Sequence, residues 1–378
     1  MPKTPPRFRT WISIDRKAIA SNYRLFRKLI GRRTKLMGVV KSNAYGHNII
    51  EFSKELEHLG VNWLGVDSVV EAFALRKAKI KLPILVLGYT LPEHFAEARK
   101  EKISITISNF DGLEEVLRIK KGAPLQIHLK IDSGMHRQGF QVEEIQRLVE
   151  LLEKGKEKIL VEGAYTHFAE AKDPRFGGTT RTQIAVFKQC VDALHEAGYK
   201  PLMHAGATGG ALLYPEAHFD MVRVGIGMYG LWPSEDARQH LEGKLKLKPV
   251  LSWHAIIGEV KQVRAGEKVG YDFTESLRND SRIAVVPVGY WHGFPRMLSS
   301  KGRVLIHGKY ANVLGRVSMD MIVVDVTNIP KAKVGDTVTL IGKSGKEEIP
   351  ARELANLSGT THYEIVTRLN PLMERIYI

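Results

Sequence analysis

The sequence predicts an α/β fold, a (β/α)8 TIM-type barrel followed by a mostly β C-terminal domain. Apolar strand-like runs and amphipathic helix-like stretches alternate about eight times within about 200 residues, as parallel strands joined by crossover helices do. After about Trp232 the texture changes to β-branched runs separated by Gly-containing turns. No GxGxxG follows the first strand, which removes the main support for a nicotinamide-binding open sheet. The alternation alone still leaves a doubly wound parallel sheet as the alternative.

The elements follow in order. WISIDRKAI reads as a short strand and an Asp-started helix, and its strand, within residues 1–14, can join either domain. Residues 15–240 carry the barrel, with strands KLMGVV, WLGV, PILVLG, ISITI, QIHLKI, VEGAYTHF, PLMHAGA and DMVRVG. Between them NIIEFSKELEHLG, SVVEAFALRKAKI, NFDGLEEVLRIKKG, VEEIQRLVELLEKG and QIAVFKQCVDALHEAGY place apolar residues at helical spacing, several with Gly near the C-terminus. WPSEDARQHLEGKLKLKP, polar with two prolines, reads as a connector. Residues 241–378 form the second domain from WHAIIGEVKQV, RIAVVPVGY, GRVLIHGKY, MIVVDVTNI and DTVTLIG, with no long helical pattern before ARELANLS.

The chain has 378 residues, 44% hydrophobic and 26% charged, enough for a large core and two domains. One cysteine, Cys190, excludes a disulfide framework and a cysteine-rich zinc site, and HFAEAKD lacks HExxH spacing, so no metal is expected. MPKTPPRFRT is charged without the apolar core of a leader, and no apolar run approaches the ~20 residues of a membrane span. A cytoplasmic setting without a membrane partner is expected. The net charge of +15 raises the question of nucleic acid, but the basic residues are scattered and lack interleaved aromatics, so no nucleic-acid partner is expected.

Side chains just past the C-terminal ends of barrel strands converge on one mouth. Strand one ends in Lys41, with Tyr45 following; strand five runs into Lys130, Asp132, His136 and Arg137. Strand six ends in His167, strand seven in His204 and Thr208, and strand eight in Arg223 followed by Gly225 and Ile226. Singly each has an ordinary reading: Lys41 as a solvated loop residue, His167 as a satisfied core histidine, Arg223 paired with an acid, His204 as structural. Together they make a cationic mouth suited to an anion such as phosphate, and the glycines of VRVGIGMYG let backbone N–H groups approach one.

The segments VVKSNAYGH, HLKIDSGMHRQG, YTHFA, MVRVGIGMYG, VGYDF, VPVGY, LGRVSMDM and THYEIVTRL, in that order from WISID to the C-terminal tail, resemble the alanine racemase family. The resemblance implies pyridoxal 5'-phosphate as cofactor, alanine as substrate, a homodimer with shared active sites, and D-alanine supplied for peptidoglycan. It implies that Lys41 carries the cofactor covalently and is one catalytic base, with Tyr271 of the partner subunit as the other. Without it Tyr271 reads as an aromatic beside a turn. The resemblance further gives the phosphate to Tyr45, Tyr363, Thr208 and the backbone of Gly225 and Ile226. By the same resemblance Arg223 is expected to face the pyridine nitrogen, with His167 beside the ring positioning it. Arg137 holds the substrate carboxylate and favours the tyrosine's phenolate, oriented by Lys130, often carbamylated in the family. The resemblance also implies that Met319 and Tyr290, from the partner subunit, line the entrance, with Asp173, Arg296 and Arg316 further out. Two departures stand out: Ser318 where cysteine is common, and His292 where the family often has aspartate, which changes the expected charge pattern of the entrance.

Three other readings compete. A serine or broader-specificity racemase of the same fold differs in pocket volume. A pyridoxal-phosphate decarboxylase on a related barrel lacks the VGYDF tyrosine. A non-catalytic carrier of the cofactor is built on a single barrel, and the complete β domain argues against it.

Overall fold

The computed structural model describes residues 8–120 and 122–378; residues 1–7, which hold most of the charged N-terminal stretch, and Lys121 lie outside them. The described chain divides into two compact units, one of residues 17–44 and 49–248, the other of residues 8–16, 45–48 and 249–378. Among the described residues no helix is long and apolar enough to cross a membrane.

The first unit is a closed parallel barrel of β1 (Lys35–Val39), β2 (Trp63–Val66), β3 (Ile84–Val86), β4 (Ile103–Ile107), β5 (Leu125–Lys130), β6 (Ile159–Tyr165), β7 (Leu202–His204) and β8 (Met221–Val224). Closure comes from β1 on β8, in the register Lys35 with Met221 through Gly38 with Val224. These are the eight runs marked in the sequence, and most of their residues are buried, as expected of apolar strands covered by helices. Met37, Trp63, Leu85 and Met221 form a buried cluster within this unit. At roughly 1.5–3 kcal/mol for each large apolar side chain withdrawn from water, such a cluster offsets the ordering of short strands.

The helices begin where local chemistry dictates. Ser68 accepts from Glu71 N–H ahead of helix Val69–Lys77, and Asn109 accepts from Gly112 N–H ahead of Phe110–Arg118. Four short helices lie beyond the sequence reading: Phe95–Lys100, Thr208–Leu213, His362–Thr367 and Glu235–His240. The last falls inside the expected connector, where Ser234 caps Ala237 N–H and Glu235 and Asp236 occupy the first turn. Six residues are too few to show a period, so only the cap signalled it.

The second unit centres on a ten-stranded sheet. Nine strands run in the spatial order Glu259–Val263, Ser281–Val286, Ile322–Asp325, Lys309–Leu314, Arg303–Ile306, Thr337–Ser344, Leu251–Ile256, Thr10–Ile14 and Glu374–Tyr377. Thr10–Ile14 lies antiparallel to Leu251–Ile256 and parallel to Glu374–Tyr377. Thr10 Oγ1 accepts from the buried Trp253 indole at 3.0 Å, which ties the N-terminal strand to the core of this unit.

One contact of this unit admits no side chain. Tyr290 N–H donates to Ser318 O and Trp291 N–H to Met319 O, both at 3.0 Å, so Gly289 lies flat on that segment. A Cβ at Gly289 would stand 2.1 Å from Ser318 O and 2.3 Å from Met319 O. Because backbone must move to admit it, Gly289→Ala is expected to lower the unfolding free energy by about 3 kcal/mol, measured by urea denaturation.

Candidate active site

The turn that carries Lys41 is built in an unfavourable backbone conformation. Ser42, Asn43, Ala44 and Tyr45 all have φ between 51° and 56°. For L-residues each such position costs about 1–2 kcal/mol. Surrounding bonds hold the turn: Ala44 N–H donates to Val40 O at 2.7 Å and Ile49 N–H to Asn43 Oδ1 at 2.9 Å. The Glu71 carboxylate accepts from Asn43 N–H at 3.3 Å and from Asp67 N–H at 2.9 Å. Lys41 itself stands two residues past β1, its Nζ on Asp67 Oδ1 at 2.9 Å. Strain held this firmly is a mark of functional turns. Asp67 and Glu71 escaped the sequence reading, because nothing local ties either to Lys41.

At the end of β8, Arg223 is buried without a carboxylate. Its Nη1 donates to His204 O at 2.8 Å, and its Nη2 to Thr166 O at 2.6 Å and Ala205 O at 2.9 Å. Burial lowers its pKa to about 10, so it remains a cation at neutral pH. That charge adds to burial in its neighbours. His167 Nδ1 lies 3.4 Å from Nη2, and burial, then Arg223, Arg137, Lys130 and Lys41, bring the ring down to about 3. Lys130, the last residue of β5, is brought down to about 7 by burial and then by Arg223, and its Nζ donates to Ile131 O at 2.8 Å. His204, read as structural, accepts from Arg223 Nη1 through Nδ1 at 3.1 Å and stacks on Tyr165 at 4.9 Å.

Arg137 lies on the loop after β5, shaped by Asp132, whose Oδ1 accepts from the N–H groups of Gly134, Met135 and His136 at 3.0 Å each. Its guanidinium is exposed, with no ion pair or hydrogen bond among the described residues. Asp173 is engaged locally, its carboxylate taken by Arg175, which also reaches Asp236.

An anion cradle adjoins this cluster in the chain. Thr208 Oγ1 accepts from Gly225 N–H and Gly227 N–H at 3.2 Å each. Ile226, only 2% exposed, has an N–H with no acceptor among the described residues. A Cβ on Gly227 would stand 2.4 Å from Phe26 Cζ and 2.7 Å from Thr208 Cγ2, so the close fold requires glycine. An unmet buried donor beside a hydroxyl, with a cation at the end of the same strand, fits a phosphorylated aromatic cofactor such as pyridoxal phosphate.

The second unit places the remaining residues. Tyr45 and Tyr363 bring their rings to 6.3 Å, and burial, then Tyr45, push the Tyr363 phenol up, so it stays a donor. Tyr271 opens a short turn and is 69% exposed, followed by Asp272, which pairs with Arg316 Nε at 2.7 Å. Tyr290 and Met319, the latter 54% exposed, belong to the paired segments at Gly289, and Arg296 opens the turn Arg296–Leu298. Ser318 serves there through its backbone, its N–H on Met321 O at 3.0 Å. His292 does not add charge to this surface: it is buried, its Nδ1 accepts from Gly289 N–H at 3.2 Å, and burial lowers its pKa.

Because burial and then the cations around it hold His167 at about 3, its ring is expected to stay neutral from pH 8 down to pH 5. Ring-nitrogen NMR should show no titration of His167 over that range, whereas an unperturbed histidine titrates near pH ~6.5.

Residues 14–233 match the model of the alanine racemase N-terminal domain and residues 250–377 that of the alanine racemase C-terminal domain. The chain is 38% identical over 372 residues to the alanine racemase of Desulforamulus reducens, covering 97% of this chain and 98% of that one. Its fold superposes on alanine racemase from Clostridium difficile 630 with a TM-score of 0.92 at 35% identity, covering 99% of this chain and 96% of that one. The Bacillus anthracis alanine racemase with bound L-Ala-P gives 0.93 at 33% identity, with the same coverage. The chain belongs to the alanine racemase family of pyridoxal-phosphate-dependent isomerases.

Proposed function

We propose that this chain interconverts L-alanine and D-alanine, with Lys41 and Tyr271 as bases on opposite faces of the substrate. When bound, pyridoxal phosphate supplies the electron sink without which the substrate's Cα proton is too weakly acidic to remove. The observation that carries the reading is the cluster of cations and uncharged histidines around Arg223, with no carboxylate on the guanidinium.

Each residue then has a task. Lys41 takes or returns the Cα proton on one face, and Asp67 steadies its ammonium. Arg223, able only to donate, meets the ring nitrogen without giving up its proton. His167, kept uncharged, adds no second cation beside it. Thr208, Gly225 and Ile226 hold the phosphate, and Tyr45 and Tyr363 keep the share in it that the family resemblance gives them. Arg137 binds the substrate carboxylate. Its charge also favours the phenolate of Tyr271, since a phenol is a weak base at neutral pH until positive charge stands near. A neutral amine is the form that takes up carbon dioxide, and the lowered pKa of Lys130 supports its carbamylation. Lys130 then orients Arg137 as an anion.

Tyr271 serves the site of a partner subunit in a homodimer, and Met319 and Tyr290 narrow the entrance there, with Arg296, Arg316 and Asp173 further out. The exposed Tyr271, Phe273, Tyr290, Trp291 and Met319 support this arrangement, because so many large apolar side chains on one unit suit a protein interface. The proposed setting is cytoplasmic, where D-alanine is supplied for peptidoglycan.

Two experiments test the proposal. With purified enzyme assayed through D-amino-acid oxidase, kcat/KM for L-alanine should exceed that for L-serine by about tenfold and that for lysine or arginine by more, because a narrow entrance excludes longer side chains. Equal values for alanine and lysine would overturn the narrow site. In the second, Lys41→Ala and Tyr271→Ala chains, each inactive alone, are mixed and allowed to exchange subunits. A mixed dimer gathers both defects in one site and leaves the other whole, so about a quarter of all sites should recover. No recovery after proven exchange would place both bases on one chain.

A further inference from the structure

We propose that Glu162 is a positioning residue for Arg223, acting through His128 and His204 along a one-way hydrogen-bond relay in the barrel interior. The direction follows from the two ends. Arg223 has no acceptor, so the 3.1 Å contact of its Nη1 with His204 Nδ1 requires a lone pair there. Burial and then Arg223 hold His204 neutral, and its single proton therefore lies on Nε2. That nitrogen is 2.8 Å from His128 Nδ1, which must accept. His128 is also neutral through burial, so its proton lies on Nε2 in turn. His128 Nε2 has no hydrogen-bond partner among the described residues, and Glu162 Oε2 stands 3.6 Å from it. A closure of a few tenths of an ångström completes the bond.

The surroundings are shaped for this relay. Both imidazoles are fully buried, with Trp63 edge-on to His128 at 5.2 Å and Tyr165 stacked on His204. A Cβ at Gly163 would stand 2.2 Å from His128 Nδ1, and the β5–β6 register shifts between Ile127 and His128 at this point. Glu162 lies toward the N-terminal ends of the strands, where Ser104 Oγ donates to it at 2.6 Å and Gln126 Nε2 at 3.4 Å. Burial would raise its pKa, but the approach of the His128 ring, the hydrogen bond from Ser104 and the charge of Lys35 outweigh it, so the carboxylate is the acceptor that ends the chain. Without that acceptor His128 is free to move its proton to Nδ1, which would face the Nε2–H of His204 and push the disturbance back to Arg223.

The kinetic consequence rests on the reading that Arg223 faces the cofactor ring; the tautomers do not. The test is a two-bond proton–nitrogen correlation on holoenzyme labelled with nitrogen-15 histidine, with the two rings assigned from His128→Gln and His204→Gln. Both rings are expected as neutral Nε2–H tautomers. Glu162→Leu should shift the His128 tautomer and lower kcat about fivefold at unchanged KM, the factor given by one lost hydrogen bond of ordinary strength. Glu162→Gln, which keeps a carbonyl acceptor, should retain the wild-type spectrum and kcat. Should Glu162→Leu not fold, His128→Phe breaks the relay one step nearer and is expected to change His204 and kcat in the same way. An Nδ1–H tautomer of either ring in the wild type overturns the proposal, even in a preparation with no racemase activity. So do ring signals or a kcat that Glu162→Leu leaves unchanged.

Discussion

A guanidinium buried without a carboxylate is the constraint from which the rest of the barrel site follows. An unpaired cation in a protein interior is costly, and Arg223 is tolerated because its nitrogens donate to the carbonyls of Thr166, His204 and Ala205. Those carbonyls offer partial charge only, so the positive field remains and acts on every titratable neighbour. It helps keep His167 and His204 uncharged and brings Lys130 toward neutrality. Local barrel geometry makes this possible, since the ends of β6 and β7 present the carbonyls of Thr166, His204 and Ala205 to the side chain that β8 supplies.

The second constraint is the left-handed turn from Ser42 to Tyr45. Its cost is set against a small set of directed bonds, in which one carboxylate, Glu71, ties Asn43 to Asp67, the residue that receives Lys41. The lysine is therefore placed by a network that begins on the next strand–helix unit. A relaxed loop would leave the same side chain many rotamers, each to be given up on binding.

Much of the fold was legible, and the reasons are particular. The eight barrel strands are short apolar runs bounded by polar turns and helical periods, a pattern set by burial. Short helices such as Thr208–Leu213 and His362–Thr367 were not legible, because a single turn has no period and owes its existence to tertiary contacts. His292 shows the same limit: its type suggested charge at an entrance, whereas burial and a bond to Gly289 make it a neutral structural ring.

The sequence by itself determined the order of the elements, the kinds of side chain that stand past the strand ends, and the family motifs that include Lys41, Arg223 and Tyr271. Only the tertiary structure decided which of these groups are charged and which way their hydrogen bonds point. Arg223, His204, His128 and Glu162 come from four different strands, and the proton on each ring depends on the next residue in space. Charge state and tautomer are properties of an environment assembled by folding, and no local pattern of residues contains them.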